Sequence, residues 1–296
     1  MNTYIFANPF SGNKKGLSKA KSVQLILKKY NIDSEIIESE YPGFFTKKAR
    51  ELSSISKCRI YVIGGDGTIN EVVNGIVNTT SEIVIIPCGT GNDFLKSISK
   101  YSSMRKIVEE SINKESSKVD AINIVNKNMY SINILSVGFD AMVAKNVNKF
   151  RRVPFITGSM KYKMSIFYTL MSNFFYKFKI RTDTFLKKGT FTLIAVANGK
   201  FYGGGIIPCP MANVHDGKLD CCIISKTTIL KKLKFLPKFS KGKHTNLNEV
   251  SFCSAKEIKI VSTRSFPVNI DGEIINTNRL HLKVIPNALN VVIIDK

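Results

Sequence analysis

The stretch VIGGDGTINEVVNGI, Val62–Ile76, joins an apolar strand to a patterned helix through a turn of three glycines and an acid. Apolar residues recur in the helix at intervals of three and four, which places them on one face. They are Ile69, Val72, Val73, Ile76 and Val77. Thr68 and Glu71, three residues apart, are typical of a helix N-cap with a capping box. The stretch therefore predicts a strand, a tight glycine turn and a half-buried helix.

The same alternation of strand and helix runs from the N-terminus to about Lys114. Apolar strands are predicted at TYIFANP, DSEIIES, RIYVIGG and EIVIIP, with amphipathic helices such as SKAKSVQLILKKY and FFTKKARELSSI between them. This order predicts a Rossmann-like parallel sheet in an α/β domain over residues 1–118. Ligands of such sheets bind at the carboxyl ends of the strands.

Short strand-like stretches separated by turns dominate after Val119. They are VDAINIV, MYSINILSVG, TFTLIAVANG, LDCCIIS, EVSFCS, EIKIVS, FPVNID, RLHLKVI and LNVVIID. They predict a second domain, an antiparallel β-sandwich over residues 119–286, interrupted by a helical insertion at 140–176. The last strand, within residues 287–296, could pack on either domain.

Charge is the unusual feature of the composition. The chain has 44 Lys and Arg against 22 Asp and Glu, a formal net charge of +22. Such a balance favours a polyanionic partner, either nucleic acid or an anionic membrane surface. Much of the excess lies in residues 141–190 and 231–243. The alternative is a lysine-rich chain whose charged faces are simply solvated.

The remaining composition indicates a cytosolic globular protein. The six cysteines have neither CxxC nor zinc-site spacing, and we interpret them as reduced core residues. No apolar run is long enough for a transmembrane helix. The N-terminal residues lack the pattern of a signal peptide.

Three polar, glycine-containing loops follow predicted strands of the first domain. They are NPFSGNKKG (Asn8–Gly16), the Gly64–Gly67 turn, and PCGTGNDF (Pro87–Phe94). Because carboxyl ends of parallel strands share one edge, we expect the loops to converge on one crevice. Glycines there let backbone N–H groups approach an anion, which predicts a nucleotide phosphate site. No loop fits the Walker A or the G-x-G-x-x-G pattern, so P-loop NTPases and standard Rossmann dehydrogenases are disfavoured.

An acid at Asp66 is unexpected in a loop that binds phosphate, because a carboxylate repels an anion. It is explained if a divalent cation lies between the carboxylate and the phosphate. The alternative is that Asp66 only favours the turn.

Two further stretches carry acids in tight turns. In YGGGIIPCPMANVHDGKLD (Tyr202–Asp220), Asp216 could bind a cation together with backbone carbonyls, or simply form an Asp-Gly turn. In NIDGEIIN (Asn269–Asn276), Glu273 is a surface residue of a β-turn unless the turn faces the crevice. In that case it is a candidate base for a hydroxyl acceptor.

Together these residues resemble the diacylglycerol kinase catalytic-domain family, in its bacterial soluble lipid kinase branch. The superfamily also contains sphingosine kinases, NAD kinases and phosphofructokinases. The resemblance rests on NPFSG, GGDGTINEVVNG, PCGTGNDF, NGKFYGGG, PMANVHDGKLD and NIDGE, which occur in order between Asn8 and Glu273. Gly91, in GTGNDF, occupies a position that varies in the family.

The resemblance implies ATP- and Mg²⁺-dependent phosphorylation of a lipid hydroxyl, in a cleft between the two domains. It implies a nucleotide site formed by Asn8, Pro9, Ser11, Gly12, Ser39, Gly65, Asp66, Gly67, Thr68, Asn70, Glu71 and Thr90, of which Ser39 is the loosest match. It also implies that Asp66 and Asp93 are required for activity and that Glu273 accepts the proton. A second, structural Mg²⁺ would be bound by the Asp216 side chain and backbone oxygens near Asn213 and Lys218.

A lipid kinase without an anchor must dock on its membrane. We therefore expect the basic segments 145–188 and 231–243 to contact an anionic membrane, at the cytoplasmic face. The segment Phe150–Ile180 mixes aromatic and basic residues, as interfacial segments do. A buried core helix is the alternative for this segment.

Other functions remain open at this point. The same fold could act on a sphingoid base, a polyprenol or NAD, although NAD offers no use for a basic amphipathic insertion. A non-catalytic protein that binds nucleic acid or membrane is disfavoured, because it would not need Asp66, Asp93 and Glu273. Nucleic acid is not expected as a partner. The sequence does not fix the oligomeric state, and a homodimer is one option.

Overall fold

The structure is a computed structural model that describes residues 1–89, 91–99, 103–150, 164–169 and 175–294, with only the backbone described for 147–150. Thirteen strands are described. They are β1 (Asn2–Ala7), β2 (Glu35–Glu38), β3 (Cys58–Gly64), β4 (Glu82–Pro87), β5 (Ser117–Ile124), β6 (Met129–Ser131), β7 (Ile134–Gly138), β8 (Tyr176–Thr182), β9 (Leu186–Ala197), β10 (Leu219–Ser225), β11 (Val250–Ala255), β12 (Glu257–Ile270) and β13 (Glu273–Val291).

Helices alternate with the first strands and are sparse afterwards. They are α1 (Ser11–Lys14), α2 (Gly16–Lys29), α3 (Phe44–Ile55), α4 (Asp66–Ile76), α5 (Asp93–Ile98), α6 (Met104–Ser111), α7 (Phe139–Phe150), α8 (164–169) and α9 (Ile229–Ser240). Within the described residues, no helix has the length and apolar character that crossing a bilayer requires.

The N-terminal half forms a parallel sheet with the strand order β4-β3-β1-β2. Every residue of β3 and β4 is buried, because helices cover both faces of the sheet. One core cluster packs α3 and α4 against one face, and another packs α2 and α6 against the other. The carboxyl ends of β1, β3 and β4 are thereby fixed side by side.

The C-terminal half is antiparallel, with the strand order β11-β10-β9-β7-β12-β13. β8 pairs with both β9 and β12, and β5 pairs with β13. Its apolar core includes Phe178 and Phe266, whose rings meet edge to face with centroids 4.9 Å apart. The two halves confirm the predicted fold class of a parallel α/β domain followed by an antiparallel β-sandwich.

β13 joins the two halves. It pairs with β12 from Glu273 onward and ends beside β4, where Asn290 and Val291 pair in parallel with Glu82 and Ile83. The stretch RLHLKVI and the first three residues of LNVVIID, predicted as separate strands, are therefore parts of one strand of 19 residues. The end of β13 thus returns to the N-terminal sheet.

The helical insertion predicted at 140–176 is described in part. α7 and α8 lie within it, and the Ser165 hydroxyl donates to the Val143 carbonyl oxygen at 2.6 Å where the two helices meet. From Tyr176 onward the chain forms β8, so Tyr176–Ile180 belongs to the sheet. Residues 151–163 and 170–174 of the expected interfacial segment lie outside the described residues.

Candidate active site

The three glycine loops converge on one cleft of about 560 Å³. The lining residues are Asn8, Phe10, Ser11, Gly12, Asn13, Gly65, Gly67, Thr68, Glu71, Gly89 and Glu273. The first ten follow β1, β3 and β4, whose carboxyl ends lie at one edge of the parallel sheet. Glu273 begins β13 and belongs to the C-terminal half, so both halves of the molecule contribute to this cleft.

Asn8 organises the first loop. Its Oδ1 accepts the Phe10 N–H at 3.0 Å, and its Nδ2 donates to Thr68 Oγ1 at 3.3 Å, which links the first loop to the second. Gly12 has φ +56°, and a Cβ there would lie 2.6 Å from the Cys88 carbonyl oxygen. The loop therefore requires glycine at position 12, both for its conformation and for its close approach to the third loop.

The second loop differs from the predicted N-cap. α4 begins at Asp66 with Gly65 as its N-cap residue, so the predicted capping box of Thr68 and Glu71 is wrong. The Glu71 carboxylate instead accepts the Phe45 N–H at 3.3 Å, at the start of α3. Glu71 still lines the cleft. It also lines a second, neighbouring cleft, together with Arg50 and Asn70.

Asp66 connects the second loop to the third. Its Oδ1 accepts the N–H groups of Asp93 at 2.8 Å and of Phe94 at 3.3 Å, which are orphan donors at the first turn of α5. Asp93 is buried, with its Oδ1 3.0 Å from Lys96 Nζ and its Oδ2 accepting the Gly204 N–H at 2.7 Å. Burial, together with the nearby charge of Asp93, raises the pKa of Asp66.

Gly91 lies between these two acids. A Cβ at position 91 would lie 2.8 Å from Asp66 Oδ2 and 3.4 Å from Asp93 Oδ2. Each carboxylate therefore has an oxygen close to Gly91. The space between them is open only because residue 91 has no side chain. Two close hard-oxygen donors, one with a raised pKa, form a donor set that suits Mg²⁺, because a divalent cation would offset their mutual repulsion.

Asp271 fixes the turn that carries Glu273. Its two carboxylate oxygens accept the N–H groups of Ile132 and Ile134 at 3.1 and 3.0 Å, and its φ is +47°. The carboxyl of Asp271 is enclosed by protein, and this desolvation raises its pKa to about 6. From the sequence, Asp271 was expected only to end a strand. The Asp-Gly pair before the candidate base was nevertheless a usable signal, because it is typical of a turn stabilised by a side chain.

The other predicted nucleotide residues are placed less centrally. Asn70 is buried on α4 and lines the neighbouring cleft. Pro9 and Ser39 are absent from the lining of the main cleft, and the Ser39 hydroxyl hydrogen-bonds to the Tyr41 carbonyl oxygen at 3.4 Å. Thr90 lies outside the described residues.

The predicted structural magnesium site lies in an exposed turn. Asp216 Oδ1 accepts the Lys218 N–H at 3.0 Å, and Asn213 Oδ1 accepts the His215 N–H at 3.2 Å. The turn is also tied down by buried Asp120, which accepts the Gly217 N–H at 2.7 Å. In the described part of the chain, no three His, Cys, Asp or Glu side chains form a metal cluster. A single carboxylate with backbone carbonyls still suits a hard cation, and this site stays a prediction.

Two family models match consecutive parts of the chain. The diacylglycerol kinase catalytic domain matches residues 2–124. The YegS C-terminal NAD kinase beta sandwich-like domain matches residues 133–293, which is more than half of the 296 residues. These matches correspond to the α/β half and the antiparallel half of the fold.

Similar proteins and structures agree with this assignment. "Putative lipid kinase YtlR" of Bacillus subtilis (strain 168) is 30% identical over 306 residues, which cover 97% of this chain and 98% of the relative. A "Putative lipid kinase" of Staphylococcus aureus (strain MSSA476) is 29% identical over 269 residues, 87% of this chain and 85% of the relative.

The solved structure of "a putative diacylglycerol kinase from Bacillus anthracis str. Sterne" superposes with a TM-score of 0.78 at 22% identity. The match covers 98% of this chain and 97% of the other, and at this identity it shows the fold alone. The family models and the Bacillus subtilis relative confirm the resemblance drawn from the motifs. The chain therefore belongs to the diacylglycerol kinase catalytic-domain family of lipid kinases, with a YegS-type β-sandwich as its C-terminal half.

Proposed function

We propose that this chain is an ATP- and Mg²⁺-dependent lipid kinase that phosphorylates the hydroxyl of diacylglycerol, or of a similar lipid alcohol. One observation carries the proposal: Glu273 lines the same cleft as the three glycine loops. A carboxylate beside an anion site opposes binding of the anion, but in a kinase it accepts the proton of the acceptor hydroxyl.

Binding of the nucleotide phosphates follows from the backbone around the cleft. Gly65 and Gly67 open the first turn of α4, where N–H groups point out of the helix and add positive potential. Gly12 brings the first loop close to the third. Phosphoryl transfer depends mainly on such positioning and on charge stabilisation, so these loops provide much of what the reaction requires.

The closeness of Asp66 and Asp93 gives Asp66 a defined role. Asp66 and Asp93 would hold Mg²⁺ which, when bound, neutralises the charge that develops on the transferred phosphoryl group. Lys96 and the Gly204 N–H keep Asp93 in place through the contacts described above. Asp216, with backbone oxygens near Asn213 and Lys218, is proposed to bind a second, structural Mg²⁺.

The proposal places the protein at the cytoplasmic face of a membrane, held there by its basic segments 145–188 and 231–243. α9 supports this, because Leu230 is 73% exposed and Leu233 is 50% exposed among its lysines. Among the described residues, Lys234 and Lys238 form no ion pair, so both are available for anionic headgroups. Exposed apolar residues beside basic ones are typical of peripheral docking.

Transfer of phosphate from labelled ATP to a lipid panel in mixed micelles tests the proposal. The panel contains diacylglycerol, monoacylglycerol, ceramide, sphingosine and a polyprenol, with NAD assayed beside it. We expect Mg²⁺-dependent label in phosphatidic acid, and its loss in Asp66→Ala. Label in another acceptor would mean that the chain is a kinase of the same fold with a different substrate. If ATP binds normally and no acceptor is labelled, every acceptor in the panel is rejected. Salt-sensitive binding to duplex DNA without any transfer would favour the non-catalytic alternative.

A further inference from the structure

The six cysteines all lie within the described residues and are free thiols, and five of them are buried. Cys253 on β11 is the exception, because it is only partly buried. The residue directly opposite Cys253 on β10 is Cys221. Directly opposite residues of antiparallel strands point to the same face of a sheet, so the two thiols lie side by side. This is the one pair of cysteines that the sheet register brings together.

The neighbouring Cys222 does not belong to this pair. Its side chain points to the opposite face of β10, where its Sγ lies 3.7 Å from His244 Nε2. Cys209 belongs to the same apolar cluster as Cys222. Cys221 lies instead in the core of the sandwich, and Cys253 packs against that core. Of the two adjacent cysteines in LDCCIIS, only Cys221 is therefore placed to react with Cys253.

The spacing of the two strands suits a disulfide. Opposite residues in antiparallel strands have Cα atoms about 4.5–5.5 Å apart, which lies within the range of about 4.4–6.8 Å in disulfides. Their Cβ atoms are about 4.5–5.5 Å apart and need to approach by up to about 1 Å. β11 permits this small movement, because it ends the strand order and, among the described strands, pairs with β10 alone.

The surroundings of Cys253 favour its thiolate. Hydrogen bonding with the Cys221 thiol lowers the pKa of Cys253, and the charge of Lys187 acts in the same direction, against burial and the charge of Asp220. Lys187 Nζ donates to the Ser251 hydroxyl at 2.8 Å, and Ser251 precedes Cys253 by two residues on the same face of β11. The same hydrogen bonding, together with burial, raises the pKa of Cys221. A partly exposed thiolate beside a second, buried thiol is typical of a redox-sensitive pair.

We propose that Cys253 and Cys221 form a redox-active dithiol that a hydroperoxide oxidises to a disulfide. The Cys253 thiolate attacks the peroxide: an S–O bond forms, the O–O bond breaks, and the leaving oxygen takes the proton that the Cys253 thiol gave up. The Cys221 sulfur then attacks the Cys253 sulfur, the S–S bond forms, and the hydroxyl leaves as water with the Cys221 proton. Each sulfur is oxidised by one electron, and the two peroxide oxygens are reduced. This chemistry goes beyond the proposed lipid kinase activity and does not depend on it.

The disulfide would close a loop that contains α9. Residues 222–252 lie between the two cysteines, so α9 and the basic segment 231–243 are both within the loop. In the reduced protein, β11 is held by pairing along one edge only. Closing a loop of about 30 residues restricts the unfolded chain and so stabilises the folded one. Oxidation would therefore make β11 and α9 harder to detach from the sandwich.

Peptide mapping of the full chain, reduced and then treated with one equivalent of hydrogen peroxide, tests the proposal. After free thiols are blocked, trypsin releases Cys221 and Cys222 in residues 219–226 and Cys253 in residues 244–256. We expect these two peptides to be linked by a disulfide that dithiothreitol reverses. Cys222→Ala should form the same link. The matched variant Cys221→Ala should not, and its Cys253 should be trapped as a sulfenic acid by dimedone. No link in the wild type, or a link in Cys221→Ala, would overturn the proposal.

Thermal unfolding gives a second, independent measurement. We expect peroxide to raise the Tm of the wild type and of Cys222→Ala by about 3 °C, because both can close the loop. Cys253→Ser changes a partly exposed residue and should fold normally, and peroxide should leave its Tm unchanged. A rise of the same size in Cys253→Ser would contradict the proposal, since that variant cannot form the bond.

These measurements need neither ATP nor lipid. A protein that forms the disulfide but phosphorylates no lipid would contradict the proposed function and not this inference.

Discussion

The Asp66 carboxylate accepts the Asp93 N–H at 2.8 Å, so an acid at the start of one helix holds the start of another. The second and third loops are thereby one unit, with both carboxylates beside Gly91. An acid that served only its own turn would make no such bridge. The contact gives Asp66 a structural role in addition to the proposed catalytic one, and the two roles can be separated by substitution.

We expect Asp66→Asn to keep most of the stability and lose most of the turnover. The amide oxygen can still accept the Asp93 N–H, but it carries no charge for a cation. Asp66→Ala should lose the same turnover and, in addition, about 1 kcal/mol of unfolding free energy, as expected for a lost cap. Denaturant unfolding and the lipid phosphorylation assay together check this. Equal stability of the two variants would show that the bridge contributes nothing.

Gly91→Ala should impair the site without disturbing the core. The added methyl group would lie 2.8 Å from Asp66 Oδ2, so one of the carboxylates must move. We expect at least a tenfold loss of kcat and a weaker rise of Tm on addition of Mg-ATP. Gly189→Ala is the control, because it is exposed on β9, away from the cleft, and a Cβ there would meet only the ring of Phe191, at 3.3 Å. A Gly91→Ala enzyme with wild-type kinetics would mean that the space between the acids is not used.

Glu273→Gln should leave ATP binding nearly intact and remove most of the turnover. The amide preserves the shape of the side chain, but it cannot take the proton of an acceptor hydroxyl. Titration of Mg-ATP gives the affinity, and single-turnover transfer to the lipid gives the rate of the chemical step. A variant that transfers phosphate at the wild-type rate would refute the assignment of Glu273 as the base.

Asp271 is expected to act by positioning Glu273. Asp271→Ala removes the acceptor of the Ile132 and Ile134 N–H groups and places alanine at φ +47°, so the turn loses its support. Asp271→Asn keeps an acceptor and tolerates this conformation. We expect kcat to fall at least tenfold in Asp271→Ala and to recover largely in Asp271→Asn, with a similar KM for ATP. No recovery in the asparagine variant would argue for a role of the charge itself.

The raised pKa values of Asp140 and Asp271 predict how stability depends on pH. Each is about 6 in the folded protein, against 3.8 for an ordinary Asp, so the folded state binds more protons between these values. The contribution of each group to the unfolding free energy is therefore full below about pH 4, falls as pH rises to about 6, and is lost above it. Each contribution is on the order of 3 kcal/mol.

Thermal unfolding of Asp140→Asn at several pH values measures this contribution for one group. Between pH 7.5 and pH 5, the variant should gain less Tm than the wild type, because it has no carboxyl to protonate. Asp33→Asn, on an ordinary surface acid, serves as the control. Identical pH profiles of Asp140→Asn and the wild type would show that the Asp140 carboxyl titrates normally.

Membrane docking through α9 predicts a sensitivity to charge and salt. Lys234→Glu with Lys238→Glu should weaken binding to anionic vesicles at least tenfold, since each lysine contributes roughly 1 kcal/mol near such a surface. Lys28→Glu with Lys29→Glu, at the end of α2, changes the charge equally and should have little effect. Vesicle co-sedimentation at two salt concentrations checks both. Binding that responds equally to the two pairs would indicate attraction without a defined docking face.

Much of the first half could be predicted because its signals are local. FFTKKARELSSI and EIVIIP coincide with α3 and β4, since their periodicity and apolar runs match the burial that each element has. The convergence of the loops followed from the parallel sheet, because strands that run the same way bring the loops after them to one edge. The glycines of those loops indicated close approach of the backbone, which Gly12 and Gly89 show.

What could not be predicted depends on distant partners. Thr68 and Glu71 fit a capping box, but Glu71 binds the N–H of Phe45 on another helix, which no local pattern reveals. EIKIVS and FPVNID were predicted as separate strands but both belong to β12. The pairing of β12 with β13 changes register between Val261 and Phe266, so the strand continues past the polar residues there. Asp140 gave no signal, since the burial of its carboxyl is set by three helices and a sheet that lie far apart in sequence.

The single course of β13 also determines which pieces of this protein can be made separately. The two matched domains divide near residue 130, yet the strand that pairs with β4 is supplied by residues 290 and 291. A fragment ending near residue 130 would expose one edge of β4, while its complement would carry an unpaired apolar tail. Expression of either half alone should therefore give aggregation, and the two co-expressed as fragments should assemble. The boundary near residue 130 therefore separates two family matches in the sequence but not two parts that fold independently.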